Sequence, residues 1–250
     1  ERLYLIDHSR AFDMTAGLPE GFRDLRLALP QELVARLRGL TEKDLRRLLR
    51  GLISKRRIRV LLERRDEILA KVDWIAYEQY EVFAVPKESP YDGPRTIEVN
   101  PADATASPFG WHDTNGVAGA EFTVTAGNNV CAQTDRDANN SACGTETQPD
   151  GGPTLDFTGA VVPLDLDTQS PVEYQEAAVA NLFYWNNVVH DLLYQYGFDE
   201  ASGNFQENNY GNGANGSDSV NADAQDGSGT NNATFGTPPD GQNPRMSMFL

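Results

Sequence analysis

Apolar residues change rhythm near residue 73. Before it they recur at three- and four-residue steps: Leu33, Val34 and Leu37, then Leu45, Leu48, Leu49 and Leu52, then Ile58, Leu61, Leu62, Ile68 and Leu69. Residues so spaced share one face of a helix, which predicts three amphipathic helices over 31–40, 41–53 and 56–72. Thr41, with Asp44 three residues on, reads as an N-cap. A short apolar run, Leu3-Tyr4-Leu5-Ile6, suits a buried strand ahead of them. After Trp74 the period becomes two. Residues 80–85 alternate like a strand and stop at Pro86, and further short strands are expected at 96–99, 121–125 and 160–162 among Pro, Gly, Asn and Asp.

The strongest single prediction is a long helix over 171–197. Ser170-Pro171-Val172-Glu173 has the form of a capping box with Pro at the first helical position. Leu182, Trp185, Val189, Leu192 and Tyr196 then mark a wide buried face, and Gly197 supplies a stop. At 1.5 Å per residue such a helix is about 40 Å long. Aromatic residues on several of its faces imply packing on both sides. Residues 203–229 have the Gly/Asn/Asp/Ser composition of a disordered segment or of an irregular ion-holding loop. An edge strand begins at Asn231-Asn232-Ala233-Thr234-Phe235, Pro238-Pro239-Asp240-Gly241 makes a turn, and 245–250 is a final strand. The fold class is therefore α+β: a basic helical module at 1–72, then a β-rich region with one long central helix at 73–250.

Charge divides at the same place. Residues 1–80 hold 17 Lys/Arg against 13 Asp/Glu, whereas 81–250 hold 4 against 24. A region with a net charge of -20 excludes phosphate-neutralising contact with nucleic acid. No run of roughly 18 apolar residues is present to span a bilayer, so no membrane partner is expected. The two cysteines, Cys131 and Cys143, lie in one loop-like stretch; an even count at short separation favours a disulfide and an oxidising compartment. The chain starts at Glu1 with no leader and stops at Met248-Phe249-Leu250 inside an apolar run, so it is expected to be a fragment.

Zinc hydrolysis leaves a compact signature, His-Glu-x-x-His on a helix, and none of His8, His112 or His190 has it. His190 reads as a packed structural histidine and His112 as the anchor of an aromatic-rich turn, and no nucleophile motif accompanies either. Asp135, Asp137, Asp150, Asp218, Asp223 and Asp226 lie in Gly/Asn-rich stretches of the kind that hold calcium, and a calcium site somewhere within 199–229 is one reading of them, solvated turns the other.

A family resemblance runs through the acidic region. It is carried by Val82-Phe83-Ala84-Val85-Pro86, Ser107-Pro108-Phe109-Gly110-Trp111-His112, Gly127-Asn128-Asn129-Val130, Phe183-Tyr184-Trp185-Asn186-Asn187-Val188-Val189-His190-Asp191, and Gln225-Asp226-Gly227-Ser228-Gly229-Thr230-Asn231-Asn232-Ala233 with Thr237-Pro238-Pro239-Asp240-Gly241. These segments resemble the start of mature fungalysin metallopeptidases. The resemblance implies the β-rich N-terminal lobe of a thermolysin-like metalloprotease, one zinc, secretion, protein substrates, and synthesis with a propeptide. It also implies that a zinc-bound water attacks the peptide carbonyl while a Glu takes its proton. By the same resemblance Asn232 and Ala233 occupy the edge strand that holds the substrate backbone. The zinc ligands and catalytic Glu are expected beyond Leu250 on a C-terminal lobe, so the chain itself is expected to be inactive and to expose the face meant for that lobe.

Leu3-Tyr4-Leu5-Ile6-Asp7-His8 resembles the tail of a phosphatidylinositol-kinase-like domain, in which Asp7 matches a magnesium ligand. Two rival readings follow: a non-catalytic, calcium-stabilised extracellular binding domain, and a kinase-like protein with an appended β-rich region.

Overall fold

A computed structural model describes residues 37, 39–69, 78–117, 119–159 and 164–250. The chain forms two compact units, Glu1–Trp74 and Ile75–Leu250. In the first, helix α1 (Glu42–Leu48) opens on a capping box: Asp44 N–H donates to Thr41 Oγ1 at 3.2 Å, and Thr41 N–H donates to Asp44 Oδ2 at 3.1 Å. The sequence pattern runs this helix on to residue 53, but it stops at Leu48. Gly51, at φ +79°, turns the chain in a conformation that other residues resist. Helix α2 (Lys55–Leu69) follows, and Leu45, Ile58 and Val60 are buried apolar residues among those described. The strand expected at 3–6, most of the helix at 31–40, and Asp7 lie outside the described residues.

The second unit holds two small sheets. One has strand order β2–β1–β4: β1 (Gln79–Val82) pairs antiparallel with β2 (Thr96–Val99) and parallel with β4 (Asp156–Phe157). The other has order β3–β5–β7–β6, formed by β3 (Val130–Thr134), β5 (Val220–Asp226), β7 (Arg245–Phe249) and β6 (Ala233–Gly236). Its first three strands are mutually parallel, and β6 alone runs antiparallel, against β7. Helix α3 (Gln175–Gln195) packs against β1, β3 and β5, so it serves both sheets. The core gathers there: Tyr80, Val82, Trp111, Val130, Phe157, Val179, Phe183 and Tyr184, closed by the small Ala132 and Ala222.

Four features differ from the sequence expectation. Residues 130–134, read as loop, form the fully buried β3, and residues 220–226, read as loop or disorder, form the buried β5. Parallel strands covered on both faces show no alternation, and here Ala, Asp, Asn and Gln replace the usual aliphatic run. Residues 121–125 form no strand; only Val124 bridges, to Asp150. The capping box at Ser170 and Glu173 is present, with Ser170 N–H donating to Glu173 Oε2 at 2.7 Å, but it opens a 3-10 turn, Pro171–Tyr174. The α-helix proper has 21 residues and is therefore about 32 Å long. Its buried stripe is Ala180, Phe183, Tyr184, Asn187 and Asp191, whereas Val189, Leu192 and Tyr196 are exposed. The segment at 160–162 lies outside the described residues.

Candidate functional site

Strand β6 is an edge. Among the described residues it pairs only with β7, and all four of its residues are exposed. Ala233 stands opposite Met248, and the neighbouring bond runs from Phe249 N–H to the Asn232 carbonyl at 3.0 Å. In an antiparallel ladder that bond flanks a non-hydrogen-bonded pair, so the N–H and carbonyl of Ala233 face away from β7. The Ala233 N–H donates to the side-chain Oδ1 of Asn232 at 2.9 Å. Asn231 N–H donates to the Leu250 carbonyl at 2.7 Å and fixes the start of the strand. An exposed backbone edge of this kind can accept a further strand.

Met248 also lines an apolar groove of about 550 Å³, with Phe83, Ala178, Leu182, Trp185 and Phe249. Helix α3 builds its wall. Asn181 Oδ1 accepts the Phe83 N–H at 3.0 Å, and Trp185 Nε1 donates to the Phe83 carbonyl at 2.9 Å. Two helix side chains thus satisfy both backbone groups of Phe83, just past the end of β1, where no neighbouring strand reaches them.

The two described histidines serve the interior. His112 is fully buried; its Nδ1 is 2.9 Å from the Ala126 carbonyl and its Nε2 is 2.7 Å from the Tyr80 hydroxyl. It stacks on Phe157 and Phe183 at ring-centroid separations of 5.4 and 4.8 Å. Burial pushes the imidazole down to about 4, against backbone carbonyl bonds that act to raise it. His190 Nδ1 lies 3.0 Å from Asp191 Oδ1, and its Nε2 lies 3.3 Å from Asn204 Nδ2. Both nitrogens of both rings are therefore engaged. The metal-competent group among the described residues contains no histidine. These residues do not fit a catalytic zinc, whose ligands include neutral imidazole in the usual sites. Cys131 and Cys143 are joined, with Cα atoms 6.0 Å apart, so the stretch between them is a closed loop hung from β3.

The structure also assembles groups whose arrangement the sequence does not show. Asp191, on α3, accepts four bonds, from Asp103 N–H and Trp111 Nε1 on Oδ2 and from the Ser107 hydroxyl and His190 Nδ1 on Oδ1. Glu78 is buried beside Tyr80, and burial raises it to about 7. Asp135, Asp223 and Asp226 converge although the first is nearly ninety residues from the others in sequence. All three are among the six loop aspartates that the sequence offers as calcium ligands, and the Asp223-x-x-Asp226 spacing links two of them; that Asp135 joins this pair is not visible in the chain.

Residues 79–250 match the family model described as fungalysin metallopeptidase (M36). Extracellular metalloproteinase 2 of Trichophyton tonsurans is 43% identical over 181 residues, which are 71% of this chain and 27% of that protein. Extracellular metalloproteinase mep of Aspergillus flavus is also 43% identical over 181 residues, 72% of this chain and 27% of its own length. Extracellular metalloproteinase 1 of Phaeosphaeria nodorum is 41% identical over 185 residues, 74% and 28% of the two chains. The chain thus spans little more than a quarter of the length of these curated relatives. It belongs to the fungalysin metallopeptidase family.

Proposed function

We propose that residues 78–250 form the substrate-gripping lobe of a secreted zinc metalloendopeptidase, and that the 250-residue chain by itself hydrolyses no peptide bond. The observation that carries this reading is the outward-facing backbone of Ala233 on an edge strand whose outer side is open among the described residues. An extended peptide laid along β6 gains main-chain hydrogen bonds that do not depend on its sequence. Its carbonyl would take over the Ala233 N–H, freeing the Asn232 side chain to bond the peptide and fix its register. Family membership implies a metal; the assignment to zinc, secretion into the medium and a propeptide partner are further parts of this proposal. The absence of His-Glu-x-x-His from all 250 residues supports inactivity of the isolated chain. No step through a metal is assigned to the residues described.

The test is a segment exchange. Residues 79–250 replace the matching quarter of the Aspergillus flavus relative, and casein hydrolysis is followed for the chimera, its Asn232→Ala variant, and the 250-residue chain. The chimera should digest casein, the variant should lose about 10- to 100-fold in kcat/KM, the size of one or two lost substrate hydrogen bonds, and the chain alone should be inert. Casein digestion by the chain alone, or a folded chimera indifferent to Asn232→Ala, defeats the reading.

A further inference from the structure

Asp135 follows β3, and Asp223 and Asp226 lie on the neighbouring β5. One carboxylate oxygen from each comes within 4.8 Å of the other two, and all three side chains are buried. Their oxygens are held in very different ways. Asp135 Oδ1 and Oδ2 accept the N–H groups of Asn139 and Asn140 at 3.0 and 2.9 Å. Asp226 Oδ1 accepts the N–H and hydroxyl of Ser228 at 2.7 and 2.5 Å. Asp223 Oδ2 accepts from the Arg245 guanidinium. Asp223 Oδ1, in a residue with no exposed surface, has no hydrogen-bond partner at all.

Charge makes the same point independently. Three buried carboxylates face one ion-paired cation, Arg245, whose other nitrogen donates to the carbonyls of Asn140 and Ser141 at 3.2 and 3.1 Å. Arg136, next to Asp135 in sequence, donates instead to Gln225 Oε1 at 2.7 Å. The group is therefore short by two positive charges, and buried charge left unbalanced costs several kcal/mol per ion.

We propose that Asp135, Asp223 and Asp226 bind one calcium ion, with Asp223 Oδ1 as a direct ligand. All the available donors are carboxylate or carbonyl oxygens, which select hard cations over zinc or copper. The carbonyls of Asn140 and Ser141 stand beside the cluster, where Arg245 binds them, and an irregular set of carboxylate and carbonyl oxygens suits the adaptable coordination of calcium better than the strict octahedron of magnesium. The ion would join the neighbouring strands β3 and β5 to the loop that the Cys131–Cys143 bridge closes. Its function is to hold that loop and the sheet together, and it stands apart from the peptide-gripping reading of β6.

The test uses the 250-residue chain stripped by chelator. Equilibrium dialysis with radioactive calcium should find one equivalent bound with a dissociation constant of about 10⁻⁴ M, the range of extracellular calcium modules. Asp223→Asn and Asp135→Asn should each weaken binding by about 30-fold or more, and Asp150→Asn, at an exposed aspartate, should leave it unchanged. Hydrogen exchange locates the ion without mutation: calcium should slow exchange at the amides of Asn139 and Asn140. Absence of stoichiometric binding at millimolar calcium, equal binding by the parent and Asp223→Asn, or protection confined to another part of the chain each overturns the assignment in favour of a protonated Asp223.

Discussion

The Tyr80 hydroxyl lies 2.7 Å from His112 Nε2, and this contact fixes the protonation of a third residue. His112 Nδ1 faces the Ala126 carbonyl and must carry the ring hydrogen, so Nε2 accepts and Tyr80 donates. The Tyr80 oxygen also lies 3.2 Å from Glu78 Oε2. With its one hydrogen committed to His112, Tyr80 can only accept from Glu78, which requires a neutral Glu78 acid. Burial favours that same form, raising Glu78 to about 7.

A pH profile follows, with opposite slopes from the two ends of this chain of bonds. Glu78 binds its proton more tightly when folded, so its contribution is complete below about 4.5 and is lost as pH rises to about 7. His112 is lowered to about 4 on folding, so its contribution is complete above 6.5 and is lost as pH falls toward 4. Between pH 4.5 and 6.5 the two cancel. Glu78→Gln keeps a donor for Tyr80 and removes only the acid's titration. Relative to the parent, this variant should gain about 3 kcal/mol between pH 4.5 and 7, read from urea midpoints across pH. Parallel profiles for parent and variant would show that Glu78 titrates as a solvated acid.

Asp191 is the acceptor on which the loop before Trp111 is hung. Replacing it by Asn keeps the volume but turns an amide N–H toward groups that are themselves donors, on a site with four bonds to satisfy. Each buried donor left unpaired costs about 1–3 kcal/mol, so Asp191→Asn should destabilise by about 3 kcal/mol. Gln195→Ala, one turn along the same helix and exposed, should cost less than about 0.5 kcal/mol. Equal urea midpoints for the two variants would exclude a supporting role for Asp191.

How much of this was legible in the chain depended on whether the signal was local. The capping boxes at Thr41 and Ser170 and the strands at 96–99 and 245–249 are set by residues within a few positions of one another, and sequence reading found them. The Asn232-Ala233 pair was located by family resemblance, and its outward-facing edge needed the register with Met248 to be seen. Strands β3 and β5 escaped because their burial comes from neighbours brought in by a parallel crossover, while their own Ala, Asp and Asn residues read as loop. The buried face of α3 was misread for a related reason. A helix with aromatics all round carries no periodic preference, and the fold chose the stripe through Phe183 and Asn187. The aspartate cluster depends on Asp135 meeting Asp223 and Asp226 across the sheet, a relation no local pattern encodes.

Gly127 is required by a close approach. A Cβ there would stand 1.7 Å from the Trp111 carbonyl oxygen and 2.9 Å from the His112 Cα, both backbone atoms that cannot swing away. Gly127→Ala should therefore displace the Trp111–His112 segment and cost roughly 3 kcal/mol or more. At Gly159 a Cβ would meet nothing within 4 Å, so Gly159→Ala should change stability by under about 1 kcal/mol. Thermal melting of the pair checks the contrast, and a Gly127→Ala protein that melts with the parent would contradict the packing at Trp111.

The side of α3 away from the core exposes apolar residues. Val189, Leu192 and Tyr196 are 44%, 51% and 82% exposed and lie at three- and four-residue steps, so they form one apolar stripe that runs along α3 to the residue capping its end. Contiguous apolar surface of this kind drives association in water. The stripe makes no contribution to the buried core, which uses Phe183, Tyr184 and Val179 on the other side. Leu192→Glu with Tyr196→Lys should therefore raise the concentration at which the chain stays monomeric by about tenfold while leaving the melting temperature within about 2 °C. Light scattering across a concentration series, with melting on the same samples, measures both. If the double variant aggregates at the parent's concentration, association is driven by another surface; if it melts early, the stripe is packed in solution and the helix is covered on both faces.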